Sequence, residues 1–293
     1  MSPPASSFAF ASLAALAFAS AGCATTSTFR SSGYCAPPVV DDAPLDEEPA
    51  PPAAAKRDER MAALLGLRGV LLERRASHEA SVESRLRVLE RIERARLTIA
   101  ATSAELDCEG ERAQQAADYL AHKATSGTQA LTVGSIAAAA ATAIASVFLS
   151  TSNAKASTQD VVGISGGVVT AGLGLGSLYV HPRIDFPHPR NLLSDLWSGP
   201  PRSTTYPPLV WAYFTRAQFS NEEKQAIREK IVARWRRFQD LANDPAETAL
   251  LFGAGGAYDA ETLKTRAAML DEVKAEVDLA SQDIAALASE LSP

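Results

Sequence analysis

The chain predicts an all-α fold, on three observations. Two Ala/Gly-rich apolar stretches, Ala130 to Ser150 and Val161 to Val180, are separated only by a polar bridge from Thr151 to Asp160. Arg57 to Lys123 carries apolar residues at helical spacing and contains no proline. From Asp259 onward, apolar residues recur by threes and fours almost to the end of the chain. Glycine and alanine are poor strand residues, so the apolar stretches do not read as strands.

Residues 1–22 read as an export signal. Phe8 to Ala21 is a compact apolar run, too short to span a bilayer, that ends in small residues. Ser20-Ala21-Gly22-Cys23 follows. It resembles the lipobox of bacterial lipoproteins, in which cleavage leaves a cysteine that carries lipid. Ala21, Gly22 and Cys23 fit that pattern; serine stands where leucine is usual, and no Lys or Arg precedes Arg30. The resemblance implies Cys23 as the lipidation site. Ala17-Phe18-Ala19 and Ala19-Ser20-Ala21 fit the cleavage pattern of plain export, so that alternative stays open, as does an uncleaved anchor.

Residues 23–56 are the tether segment, and from Ala36 to Ala55 the chain is Pro, Ala and acid, with Pro37, Pro38, Asp41, Asp42, Pro44, Asp46, Glu47 and Glu48 among them. Such a stretch cannot bury enough apolar surface to fold, and reads as an extended tether between anchor and body. Cys35 and Cys108 remain once Cys23 is lipidated. In an oxidising envelope they either pair or stay free.

Residues 57–125 form a long helical segment. Leu64, Leu65, Leu71, Val82, Leu89, Ile92 and Ile99 mark its apolar positions, and Glu83–Arg87 and Glu90–Arg94 are four-apart pairs on its polar side. Arg68, Arg75 and Arg85 interrupt a strict seam, and Gly66, Gly69 or Gly110 are the places where it would break.

Residues 126–180 are the hydrophobic helical hairpin. No charge occurs from Ala124 to Ala154 or from Val161 to Val180. Each rod is close to the ~20 residues that cross a bilayer core. Gly134, Ala138, Thr142 and Ser146 are spaced by four, as are Gly163, Gly167 and Ala171, with Gly166, Thr170 and Gly174 beside them. Residues four apart share a helix face, and small ones let two backbones approach. These are the expected helix-packing residues. The competing reading is a hairpin buried in a soluble helical core.

Residues 181–218 form a Pro/aromatic connector whose prolines are expected to forbid regular structure. Trp197, Tyr206, Trp211, Tyr213 and Phe214 cluster there, either as a membrane-boundary belt or as cover for a core. Residues 219–293 read as a C-terminal helical pair. Ser220-Asn221-Glu222-Glu223 is a capping-box start, with Ile227, Ile231, Trp235, Phe238 and Leu241 on one face. After a turn at Gly253-Ala254-Gly255-Gly256, the last helix presents Leu263, Leu270, Val273, Val277, Ala280, Ile284, Leu287 and Leu291. Only Arg266 breaks that seam.

Net charge is −6, which gives no general attraction to nucleic acid. His181, Asp185 and His188 lie close in sequence, but prolines intervene and no fourth ligand is evident, so no metal is expected. No Ser, Cys or His sits in a catalytic motif. The chain therefore reads as non-enzymatic and without a cofactor. It is expected to partner membrane lipid, and either copies of itself or another envelope protein. Structural or interaction scaffolding comes first, and a membrane-perturbing or channel-forming assembly of hairpins second.

The bridge carries one cation, Lys155, and the flanks carry Lys123, Arg183 and Arg190. The positive-inside rule would put the flanks in the cytoplasm. Export puts them outside. A hairpin weakly apolar enough to pass the translocon and insert afterwards, in the outer membrane facing the periplasm, reconciles the two. The inner membrane is the alternative.

Overall fold

The computed structural model describes residues 35, 48, 51–52, 55–77, 82–151, 165–173, 181–221, 224–238 and 244–291. The chain is mostly helical. In order come α1 (Arg57–Leu64), α2 (Arg68–Ser77), α3 (Val82–Thr151) and α4 (165–173). Then follow β1 (Ile184–Pro187), α5 (Ser194–Ser198), α6 (Pro208–Thr215), α7 (Ile227–Phe238), α8 (Pro245–Phe252), β2 (Gly255–Tyr258) and α9 (Ala260–Leu291).

The expected long helix from Arg57 breaks first at Gly66. Its φ of 64° is left-handed, a conformation glycine adopts without strain. The Gly66 amide donates to Ala63 O and the Leu67 amide to Ala62 O, at 3.1 and 2.7 Å, which closes α1 with a Schellman turn. Gly110 breaks nothing. A Cβ there would lie 3.8 Å from Leu270 Cβ and 3.9 Å from the Ala267 carbonyl, so Gly110 marks the point where α3 and α9 approach closely.

That pair is the spine of the body. Ser103 donates to Asp278 at 2.7 Å and Lys274 faces Asp107 at 3.8 Å. The falling number on α9 as α3 rises makes the pairing antiparallel. Ile92, Ala95, Ile99, Leu106, Ala113, Ala117 and Leu120 of α3 are buried. So is the whole expected seam of α9, Leu263 to Leu291, and Arg266 is buried with it. Val82 and Leu89, expected inside, instead lie exposed with Leu86 and Leu97 on the outer side of α3. The polar pairs Glu83–Arg87 and Glu90–Arg94 form as expected, at 3.3 and 3.4 Å.

The proline-rich stretch 181–218, expected to be irregular, is largely ordered core. Pro208 opens α6 from its first turn, where a missing N–H costs nothing. Tyr206, Trp211, Tyr213 and Phe214 are buried, so these aromatics cover a helical core. The loop before α6 wraps the Asp195 carboxylate. Asp195 accepts from the Ser203 hydroxyl at 2.6 Å, the Thr204 amide at 2.7 Å, the Thr205 amide at 3.0 Å and the Thr205 hydroxyl at 2.8 Å. Burial opposes the charge there, but these donors hold the carboxyl below its ordinary value.

β1 pairs antiparallel with β2, from Ile184 opposite Tyr258 to Pro187 opposite Gly255. The glycine run expected as a plain turn is therefore half strand. At Gly255 φ is 95°, and a Cβ would collide with the Phe186 carbonyl, so only glycine fits. Helix α7 opens at Ile227 rather than at Ser220. Ser220 instead closes a short 3₁₀ turn (Ala217–Phe219), donating its amide to the Ala217 carbonyl at 3.0 Å. Glu222, Glu223 and Leu241 lie outside the described residues. Trp235 donates to Glu272 at 2.8 Å, tying α7 to α9.

Candidate functional site

No helix boundary falls between the expected body and hairpin. α3 runs through residues 125 and 126 as one helix of 70 residues, ~105 Å at 1.5 Å per residue. Its C-terminal part is long and apolar enough to cross a membrane, and none of that apolar window is buried. Val133, Ile136, Ile144 and Val147 point outward, Ile136 with 64% of its surface exposed.

The opposite side of this rod meets α4. A Cβ on Gly134 would sit 3.9 Å from Leu173 Cδ1, and one on Gly166 would overlap the Thr142 side chain. The two contacts run in opposite directions along the chain, so rod and α4 form an antiparallel hairpin. Gly134, Ala138, Thr142 and Ser146 are half-buried on the contact side. On α4 the contact falls one position before that expected. Gly166 and Thr170 are half-buried, whereas Gly167 and Ala171 are exposed and a Cβ on Gly167 would meet nothing. A glycine pair at 166 and 167 offers no side chain from which to choose the inward partner. Gly163, Gly174 and Cys23 lie outside the described residues.

The rod's hydroxyls are satisfied within their own helix. Thr132, Thr142 and Ser146 donate to the carbonyls of Thr128, Ala138 and Thr142 at 2.9, 2.8 and 2.8 Å, and Thr170 of α4 donates to Gly166 at 2.9 Å. Polar groups paired in this way need no water.

A second cluster lies in the body, where α3 passes the β-pair. Arg112 pairs with Glu109 at 2.6 Å and lies over the Phe186 ring at 4.1 Å. Arg266 donates to the Leu251 carbonyl at 3.0 Å and to Asn191 Oδ1 at 3.2 Å. Burial lowers its pKa to about 10. His188 sits edge-on to Phe186 and against Tyr258, with ring centroids 5.6 and 5.4 Å away. Burial, aided by the charges of Arg266 and Arg112, depresses its pKa to about 3, the Gly253 backbone opposing only in part. Arg190 faces Glu105 at 3.4 Å. Burial drives the Glu105 carboxyl up to about 7, Arg190 opposing and Glu109 reinforcing.

Sequence reasoning singled out Arg266 and His188 from this group, and Arg190 only as a cation flanking the hairpin. The interrupted seam was the visible signal; nothing marked Glu105 or Arg112 as inward-facing. Strand alternation turns Asp185 outward while His188 points in, so the two cannot share a ligand. Among the described residues, no three His, Cys, Asp or Glu side chains are grouped to hold a metal. An apolar void between Met61, Ile99, Leu209, Val210 and Val277 has room for about one water molecule. The cluster joins the β-pair and the Asn191 turn to the spine.

Cys35 and Cys108 are joined by a disulfide, with Cα atoms 5.7 Å apart. Farther along the chain, the Glu48 amide donates to Ala63 O at 3.1 Å and its carboxylate accepts from the Gly69 amide at 3.0 Å, near the start of α2. Residues 23–56, expected to be an extended tether, are thus joined to the body at two described points, Cys35 and Glu48.

Compared with protein-family models, with curated proteins and with solved structures, the chain matches none.

Proposed function

We propose that this is an exported, lipid-anchored envelope protein, non-enzymatic, whose helical body is held at a membrane by the apolar hairpin and acts there as a scaffold. The observation that carries the reading is the apolar end of α3. It leaves the body as part of the same helix, keeps its large apolar side chains outward and its small ones against α4, and buries none of its apolar window. Water disfavours such a surface, and lipid does not. The Cys35–Cys108 bond supports residence in an oxidising compartment. The lipobox-like Ser20-Ala21-Gly22-Cys23 supports Cys23 as the lipidated residue, and the outer membrane is the proposed location.

The test is to extract membranes with alkaline carbonate from cells making the Cys23→Ala variant. Retention in the pellet, with outer-membrane markers, is the expected result. Full release would mean that lipid was the sole anchor and that the hairpin does not hold the membrane. Dye leakage from liposomes given the purified protein would move the reading to the channel-forming alternative.

A further inference from the structure

We infer that the lipid on Cys23 and the apolar rod of α3 enter one and the same leaflet, and that the Cys35–Cys108 disulfide is the ruler that enforces it. The partner of the rod is then the bilayer that already holds the anchor, and the protein does not bridge two membranes. This rests on the reading of Cys23 as the lipidated residue.

A bilayer, and not a protein groove, fits the rod's surface. The chain carries no charge from Ala124 to Ala154. Only the side bearing Gly134, Ala138 and Thr142 is covered, by α4, and the remainder of the circumference is exposed. A groove covers a stripe, whereas lipid covers an arc this wide. The uncharged part of α3 from Ala124 to Thr151 is ~42 Å long, enough for a hydrocarbon core of ~30 Å.

The reach of the anchor follows from chain length. Twelve residues lead from Cys23 to Cys35, which is fixed to Cys108, and fully extended they span at most ~43 Å. Along α3, Ala124 lies ~24 Å from Cys108 and Thr151 ~65 Å, at 1.5 Å per residue. The anchor therefore reaches the leaflet where the rod goes in and falls short of the leaflet where it ends. In the other direction the body extends from Cys108 to Val82, ~39 Å along the same axis. A second membrane beyond that end would need a chain stretched to its limit. Without the disulfide, the next described fixed point is Glu48, and the reach becomes at most ~90 Å.

The experiment uses the full chain purified with its native lipid and labelled with bimane through Ala140→Cys. In fluid vesicles, brominated lipid in the protein-bearing population is expected to quench the label several-fold, while the same lipid in an added protein-free population leaves it unchanged. In a second arm the anchor sits in gel-phase vesicles that resist the hairpin, and fluid brominated vesicles are added. The disulfide-bonded protein is expected to leave the two populations separate; Cys35→Ser with Cys108→Ser is expected to cluster them and to be quenched. Clustering by the disulfide-bonded protein, or no difference between it and the double variant, overturns the inference, as does a label quenched in neither population. Flotation of Cys23→Ala with the gel-phase vesicles, which the hairpin does not enter, tells these failures from an error in the anchor: flotation as complete as that of the parent protein would show that no lipid sits at Cys23.

Discussion

At the scale of single residues, two buried titrating groups in one cluster act against each other. Burial, with Arg266 and Arg112 facing it, keeps His188 neutral down to about pH 3, against an ordinary value of 6.5. Below 6.5 the unfolded chain takes up a proton that the folded chain refuses, so this group removes stability as pH falls. Burial raises the Glu105 carboxyl from 4.5 to about 7, with Arg190 opposing and Glu109 reinforcing. Above 4.5 the unfolded chain releases a proton that the folded chain keeps, so this group removes stability as pH rises. Between pH 4.5 and 6.5 the two slopes are opposite, each ~1.4 kcal/mol per pH unit. Urea midpoints of the parent protein should therefore be nearly flat across that window. Glu105→Gln should make them climb with pH, and His188→Leu should make them fall. A parent slope as steep as that of either variant would show that the two groups do not compensate.

At the scale of elements, glycines at helix contacts separate packing from propensity. Gly110 faces α9 at ordinary van der Waals distance, so Gly110→Ala should fit and stabilise the body by up to ~1 kcal/mol through helix propensity. In the hairpin, Gly166 abuts Thr142 while Gly167 faces open space. Crosslinking between Gly134→Cys and Leu173→Cys should survive Gly167→Val and be lost with Gly166→Val. The same elements show what the sequence disclosed. The seam of α9, the four-apart ion pairs of α3 and the small-residue period of the rod were all readable, because each repeats with the helix. The phase of α4 was not, and neither was the burial of Glu105, because both depend on which neighbour lies opposite. Proline misled at 181–218: Pro208 begins a helix and Pro187 ends a strand, positions that need no amide from proline. The outward stripe of Val82, Leu86 and Leu89 has no occupant among the described residues.

At the scale of the whole molecule, the disulfide closes a sequence separation of 73 residues around α1, α2 and the first part of α3. Chain-entropy arguments give such a loop ~4 kcal/mol of stabilisation. Reduction, or Cys35→Ser with Cys108→Ser, should lower the urea midpoint by a corresponding amount while leaving the helical circular dichroism signal in place. Collapse of that signal would mean that the spine of α3 and α9 does not hold the body on its own.

The unbroken passage of α3 from apolar rod to body has, on the proposed membrane reading, a mechanical corollary. A stiff lever without a hinge converts small rotations at one end into large sideways travel at the other. Membrane helices commonly lean ~20°, and over the ~63 Å between Ala124 and Val82 such a lean sweeps the far tip by ~20 Å. Bilayer thickness and curvature would thereby be transmitted as displacement to whatever stands near Val82.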